Sequence, residues 1–439
     1  MNRWQNNLPK HWNVVKFSDI AELRHGYQFR TFDFTEEGVK VFKITQIKGR
    51  GIADISDCSY IAKERLKQFE KFRINKGDIL IALTGATIGK IAKFNENEVV
   101  LQNYRVGNFF PLDEKKLSKE YLYQFLRSDF FYNQILAMQT QSAQQNIGKE
   151  DINNMSLIVP PIAEQKIIAE ILSSLDDKIE LNNKINKNLE DLAQTLFKRW
   201  FIDFDFSDKN GKPYKSSGGK MVESELGEIP GGWEVSNIGT IANVIDCLHS
   251  KKPREVLDKT EHFILQLNNI LDSGLISLAK KYFVSRDDYT KWISRIEVNE
   301  GDIVITNVGR SGAVGRIPRG VKAAIGRNMT ACRLKSNFSY PGYIATLMKS
   351  KWMSKEIESK LDSGTILDSL NVRSIPKLRF VKPSFQTLSL YEEELLNLWR
   401  QRELNEMINV NLSQLRDTLI HKLLSGKLEV KNNKQQATS

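Results

Sequence analysis

The chain has 439 residues, more than one hydrophobic core holds, so two or more domains are expected. Its hydrophobic fraction of 41% is that of a globular protein, and its net charge of +11 favours a polyanionic partner, although lysines spread evenly over a surface give the same number. Cys58, Cys247 and Cys332 are too far apart to indicate a disulfide framework or a zinc site, no run reaches the roughly 18 apolar residues of a membrane span, and residues 1–10 have no apolar signal core, so a cytoplasmic protein is expected.

In chain order, Trp12-Asn-Val-Val-Lys-Phe-Ser-Asp-Ile-Ala opens a globular segment. Asn75-Lys-Gly-Asp-Ile-Leu-Ile then predicts a turn carried by Gly77 and a buried strand, followed by a Gly-containing loop from Thr84 to Lys90. Tyr121 to Ile135 reads as a short amphipathic helix, and Leu157-Ile-Val-Pro-Pro as a closing strand. From Glu164 to Trp200 there is neither Gly nor Pro, which predicts one helix of roughly 55 Å. Ile168, Leu172, Leu175, Ile179, Leu189 and Leu196 step by threes and fours, a heptad seam that asks for a partner helix, and Asn182 and Asn186 interrupt it where they would set register.

The chain then repeats itself. Trp233-Glu-Val-Ser-Asn-Ile-Gly-Thr-Ile-Ala answers the first motif, and Asn299-Glu-Gly-Asp-Ile-Val-Ile the second. The loop from Val308 to Arg316 reads as two residues longer than its counterpart, Tyr343 to Ile357 answers the short helix, and Arg379-Phe-Val-Lys-Pro the closing strand. A second rod carries Leu395, Leu404, Asn405, Ile408, Asn409, Leu412, Leu415 and Leu419 in the places of Leu172, Leu181, Asn182, Ile185, Asn186, Leu189, Leu192 and Leu196, while Arg402 replaces Ile179.

This predicts an α+β chain: two similar globular mixed α/β domains separated by two long helices forming an antiparallel coiled coil, with internal pseudo-two-fold symmetry and Asn182, Asn186, Asn405 and Asn409 meeting at the waist. The alternative is two rods that each pack on their own globular neighbour. The partition is 1–163, first domain; 164–203, first long helix; 204–225, a turn-rich linker; 226–385, second domain; 386–430, second long helix; 431–439, a disordered tail. Residues 21–73 and 242–297 share little sequence, the pattern of two like scaffolds with different ligand loops.

No catalytic motif stands up. Gly85-Ala-Thr-Ile-Gly-Lys90 has three residues between its glycines where a phosphate loop has four, and Ile91 follows where a Ser or Thr is needed. Val159-Pro-Pro-Ile162 lacks the amide or acid and the aromatic of an amino-methyltransferase tetrapeptide. No G-x-G-x-x-G follows a strand, and the run Glu392 to Glu394 sits where acids suit a helix start. No metal or cofactor site is expected in the chain.

The ordered set of Trp12 through Gly26, Gly77-Asp-Ile-Leu80, Pro160-Pro-Ile-Ala-Glu-Gln165, Leu196-Phe-Lys-Arg-Trp-Phe201, Glu225-Leu-Gly-Glu-Ile-Pro-Gly-Gly-Trp233, Gly301-Asp-Ile-Val304 and Leu423-Leu-Ser-Gly-Lys-Leu428 resembles the specificity subunits of Type I restriction-modification systems over nearly the whole chain. One departure is Pro383-Ser-Phe-Gln-Thr387 in place of a second Pro-x-x-Glu-Gln. The resemblance implies a non-catalytic phage-defence subunit with two target-recognition domains that read the halves of a bipartite double-stranded DNA site. Its helices would space the domains and dock two modification subunits that methylate adenine N6, with restriction subunits joining for cleavage. S-adenosylmethionine, ATP and Mg²⁺ would sit on those partners.

Because Gln and Asn read adenine and Arg or Lys reads guanine or phosphate, the candidate DNA contacts are Lys90, Gln102, Asn103, Arg105, Gln144, Gln145 and Asn146 in the first domain. In the second they are Asn268, Asn269, Arg310, Arg316, Arg327 and Asn328. Trp200 and Phe201 are expected in a buried contact. The rival readings are a coiled-coil scaffold without sequence-specific DNA reading, and a fragment of a fused restriction-methylation enzyme.

Overall fold

The computed structural model describes residues 8–48, 51–139, 146–207, 211–362 and 368–430, so the tail 431–439 lies outside the described residues. The chain is mixed α/β and folds as two units, one of Met1–Asp177 with Ser413–Ser439 and one of Lys178–Leu412. Among the described residues no helix is long and apolar enough to cross a membrane.

In the first unit, a four-stranded antiparallel sheet runs in the order Ala21–His25, Val106–Pro111, Ile79–Ala82, Ile91–Lys93. Its central strand follows from the turn before it. Gly77 takes φ +87°, which Gly adopts without penalty, and the Asp78 carboxylate accepts the Asn75 N–H at 2.9 Å. All four residues Ile79–Ala82 are then buried. Beside this sheet lies a five-stranded one, with Val39–Phe42 and Val100–Gln102 paired in parallel at its centre. Asn13–Lys16 pairs with Ser156–Val159 and closes the unit.

The second unit repeats the plan. Ala242–Asp246, Met329–Leu334, Ile303–Thr306 and Val314–Arg316 follow the same order, Gly301 takes φ +86°, and Asp302 accepts the Asn299 N–H at 2.9 Å. A three-stranded sheet has Phe263–Leu265 and Ala324–Ile325 parallel, and Glu234–Asn237 pairs with Arg379–Lys382. The connecting loops between the hairpin strands are 83–90 and 307–313, so the second is shorter, not longer as the glycine spacing implied.

The divergent middles also share a plan. In the first unit a tight turn Ile44–Gln46 leads to a bridge between Ile47 and Ala53; in the second, Leu267–Asn269 leads to one between Ile270 and Ile276. Gln46 and Asn269 do the same work. Each accepts the N–H three residues earlier, of Lys43 at 2.9 Å and of Gln266 at 2.7 Å, and each donates to carbonyls of the following loop.

The long helices are Ile162–Phe197 and Phe385–Leu424. The first begins just after Pro160 and Pro161, and its opening Glu-Gln has a structural use: Glu164 accepts the Trp12 indole N–H at 2.9 Å, and Gln165 accepts the Ser118 N–H while donating to the carbonyls of Lys116 and Pro160. In the second copy, where this pair is missing, Ser384 caps the helix and Glu392 takes over one turn later, accepting the N–H groups of Gly342 and Tyr343 at 2.6 and 2.9 Å. The first helix gives way to a wide turn, Lys198–Ile202, earlier than 203; the second stops at Leu424 rather than 430, because Gly426 turns left-handed at φ +67°.

Within the second unit the Asn side chains of the two helices meet. Asn182 donates to Asn409 at 2.8 Å and Asn405 to Asn186 at 2.9 Å, so the helices run antiparallel there. Within the first unit Asp176 accepts from Arg416 at 2.8 Å and Arg127 at 2.6 Å. Burial works to raise this carboxyl, and the two guanidiniums overcome it and hold it below its ordinary range. Arg402, the departure from the repeat, is buried, pairs with Glu190 at 3.2 Å and donates to the Ser273 carbonyl at 2.7 Å.

Segment 204–225 is not a free linker. Phe204 and Phe206 are buried, Phe206 stacks on Tyr214 and Trp233, and Met221–Val222 pairs with Ile229–Pro230. Phe201 is buried in the same cluster, and Trp200 lies 4.0 Å from Tyr391, centroid to centroid.

Candidate nucleic-acid interface

In each unit the chain builds a ledge of three backbone segments at the end of the four-stranded sheet. In the first, Leu83 donates to the Arg105 carbonyl, Ile147 donates to the Leu83 carbonyl, both at 3.0 Å, and Thr84 bridges to Asn146. In the second, Asn307 donates to the Asn328 carbonyl, Leu370 to the Asn307 carbonyl, both at 2.8 Å, and Val308 bridges to Ser369. The ledge therefore hangs Arg105 and Asn146 on the backbone of Leu83 and Thr84, and Asn328, at φ +64°, and Ser369 on that of Asn307 and Val308.

The side chains of Lys90, Arg105 and Asn146 are exposed, Lys90 on the adjoining hairpin loop and Arg105 with its Nε on the Tyr104 hydroxyl at 2.7 Å. Gln144 and Gln145 lie outside the described residues. In the second unit Arg327 and Asn328 are exposed on the ledge and Asn268 on its tight turn. Arg310 is exposed, reaching the Ile270 carbonyl at 2.7 Å and pairing with Asp272.

Four other candidates have structural work. Gln102 is buried and spends its amide on the carbonyls of Arg24 and Val106, at 3.0 and 2.8 Å. Asn103 is buried beside it and accepts the Arg105 N–H at 3.3 Å. Asn269 is buried and bonds the Ser277 and Lys280 carbonyls, both at 2.8 Å. Arg316, 1% exposed, is paired with Glu403 of the second long helix. Burial pushes the Glu403 carboxyl up, and the Arg316 charge opposes this. These four are corrected from readers to framework, since a buried amide or guanidinium with partners inside the fold does not face a base. Sequence reasoning missed Ser369, whose position in the repeat matches that of Asn146.

Other polar groups cluster elsewhere in the two units. Arg24, His25, Glu70, Lys71, Arg73 and Asn75 are among the residues lining a polar cleft of about 240 Å³ in the first unit. Among the described residues, Asp246, Cys247 and His249 bring donor atoms within 4.8 Å of one another. They are satisfied without an ion: His249 bonds Asp246 at 2.7 Å, Arg295 lies 3.9 Å from that carboxylate, and burial holds the Cys247 thiol protonated by raising its pKa. The loop Gly85–Thr87 is a tight turn, with Gly89 packed under Ile135, and is shaped by that contact.

A family model described as Type I restriction modification DNA specificity domain matches residues 9–191. The HindI specificity subunit of Haemophilus influenzae is 23% identical over 86% of this chain and 90% of its own length. The MjaIX specificity subunit of Methanocaldococcus jannaschii is 24% identical over 96% of this chain and 95% of its own. The MjaVIII specificity subunit of the same organism is 29% identical over 42% of this chain and 44% of its own length. Among solved structures, the S subunit of a Type I restriction-modification system from M. genitalium shares the fold, with a TM-score of 0.52, 16% identity, and coverage of 95% of this chain and 96% of that one.

Proposed function

We propose that this chain is a specificity subunit of a Type I restriction-modification system, the non-catalytic reader of a bipartite duplex DNA site, acting in the cytoplasm. The observation that carries this reading is the repeated ledge: one backbone arrangement presents Arg105 and Asn146 in one unit and Arg327, Asn328 and Ser369 in the other. A common scaffold with different polar side chains reads two different half-sites in the same way. The target-recognition domains are 1–163 and 226–385. The long helices space them as an antiparallel pair, and the pseudo-two-fold matches that of duplex DNA.

The helices also dock the modification subunits. Leu181 and Leu404, equivalent in the repeat, are each 50% exposed, and Leu192 and Leu415 are exposed in the same way. Repeated apolar positions facing water are what two copies of one partner would cover. Those subunits methylate adenine N6 with S-adenosylmethionine, and restriction subunits with ATP and Mg²⁺ complete the cleaving complex.

The test is to express the chain with the methyltransferase encoded beside it and map N6-methyladenine by long-read sequencing. A split motif that depends on this chain is the expected result. Methylation that is absent, or unchanged without the chain, would leave a coiled-coil scaffold that reads no sequence.

A further inference from the structure

A cavity of about 450 Å³ opens in the second unit between the turn Asn299–Asp302 and the residues Leu396 and Arg400 of the second long helix. It lies at the far end of the four-stranded sheet from the ledge. The strand Ile303–Thr306 runs from this turn to Asn307 of the ledge, and Met329–Leu334 runs from beside Asn328 of the ledge to Arg333 and Leu334 of the cavity wall. Val314–Arg316 ends on the cavity at Arg316. A duplex read at the ledge is therefore at the opposite end of these strands.

Four cations line it, Arg316, Arg333, Lys335 and Arg400, against two acids, Glu300 and Asp302. Asp302 is taken up by Arg333, at 2.6 Å, and Arg316 pairs with the buried Glu403. A further acid nearby, Glu392, spends its carboxylate on the N–H groups of Gly342 and Tyr343. Lys335 bonds a neutral partner, the Gly239 carbonyl, at 2.6 Å, and Arg400, 50% exposed, stands 4.0 Å from Glu300. The accessible charge at the mouth is thus positive. Deeper in, on a side chain 1% exposed, Arg316 Nε is buried with no hydrogen-bond partner among the described residues. A buried donor left unpaired costs free energy that an acceptor entering the cavity recovers. The scaffold does not ask for this set of cations: in the first unit the same places are held by Lys93, Phe110, Leu112 and Asp177.

We infer that this cavity is a carboxylate seat for the modification subunit docked on the second unit: an Asp or Glu side chain of that partner enters between Lys335 and Arg400, toward Arg316 Nε. The inference rests on the reading of the long helices as docking surfaces and adds the chemistry of the contact. Leu396, Arg400 and Leu404 are spaced by four, so the rim of the cavity and the half-exposed Leu404 share one face of the helix. A partner that covers Leu404 reaches the cavity, where ammonium and guanidinium groups bind a carboxylate through charge-assisted hydrogen bonds. Asp177, in the place of Arg400 on the first helix, offers an acid no such pair. The two modification subunits, docked on equivalent helices, are therefore held unequally.

The experiment uses the full chain in complex with the methyltransferase encoded beside it, treated with a carbodiimide, which joins an amine to a carboxylate in direct contact. Mass spectrometry is expected to find an amide between Lys335 and one Asp or Glu of the modification subunit, and Lys335→Arg should remove it while the complex still assembles. Arg400→Glu should weaken the binding of one of the two modification subunits by about tenfold, because it sets like charges against each other. Arg400→Lys should retain most of the affinity, and changing the cross-linked acid to Lys should rescue Arg400→Glu. Arg400 is exposed, so an unchanged melting temperature is the control for folding. A complex with no cross-link at Lys335 and with affinity unaffected by Arg400→Glu would overturn the seat and leave docking through the exposed leucines standing. Weaker DNA binding by Arg400→Glu with subunit binding intact would overturn it in favour of a phosphate contact. No binding of the modification subunit by wild type would overturn the docking reading itself, and the seat with it.

Discussion

Asn182 donates from Nδ2 to Oδ1 of Asn409 at 2.8 Å, and both side chains are buried between the two long helices. Asn409 passes the chain on, donating to Asn183 at 2.9 Å. Removing one partner leaves the other amide buried and unsatisfied. Asn409→Leu is therefore expected to cost about 1–3 kcal/mol, whereas Asn182→Leu with Asn409→Leu should cost less than the sum of the single changes. Chemical denaturation of the four proteins of this cycle measures the coupling, and strict additivity would contradict the pairing.

Arg316 is assigned to framework by its buried pairing with Glu403. Arg316→Ala should destabilise the chain by about 3–5 kcal/mol, because it strands a buried carboxylate. Adding Glu403→Leu should recover much of that loss. If Arg316→Ala instead leaves the melting temperature unchanged and alters only the methylated motif, Arg316 is a reader after all.

Glu392 carries a pH dependence. Burial raises its pKa to about 7, against the opposing pull of the Gly342 and Tyr343 N–H groups and of Arg316 and Arg400. A carboxyl whose folded pKa lies above its unfolded one binds its proton more tightly when folded. Its contribution to stability is thus full below about pH 4.5 and is lost as the pH rises through about 7. Glu392→Gln should flatten the fall in melting temperature between pH 5 and 8, about the window set by that shift. An identical slope in wild type and variant would rule the contribution out.

The ledge predicts which changes alter sequence preference. Arg105→Ala and Asn146→Ala should relax the first half-site, and Arg327→Ala and Asn328→Ala the second, by about 1–3 kcal/mol for each lost base contact. Gln102→Ala should lower stability and leave the motif intact, since its amide holds two main-chain carbonyls. Methylation mapping separates the two classes.

The helices predict the spacer. Four residues inserted between Asn182 and Asn186, and four between Asn405 and Asn409, add about 6 Å to each rod, close to two base pairs. The preferred unread spacer should lengthen accordingly. An unchanged spacer would remove the helices from that role.

How far the sequence reached follows from what kind of signal each feature leaves. The Asn rungs were legible because a polar residue stands out in a heptad seam. The turns before the buried strands were legible because only Gly takes φ near +87°, and Gly77 and Gly301 recur with their Asp. The amides of Gln102 and Asn269 misled, since an amide that reads a base and one that satisfies a main-chain carbonyl are the same residue in a sequence; only the fold tells which carbonyl is in reach. Gln46 and Asn269 show the converse, one capping role filled by side chains of different length, so the shared plan of the divergent middles left no trace in identity. Phe204, Phe206 and Tyr214 were the available sign that 204–225 is packed, and the surrounding Gly, Ser and Lys outvoted them.

That packed segment changes how the chain can be cut. Its two halves look separable at the junction between repeats, yet Ala193, Phe197, Phe201, Phe204 and Phe206 build one wall of the cluster that holds Trp233, Tyr343 and Phe380. A fragment starting at residue 226 would lose the packing of Phe197 and Phe201 on Tyr343 and of Phe204 and Phe206 on Trp233, so a protease nick or a split gene at that junction yields an aggregating piece rather than an independent second half.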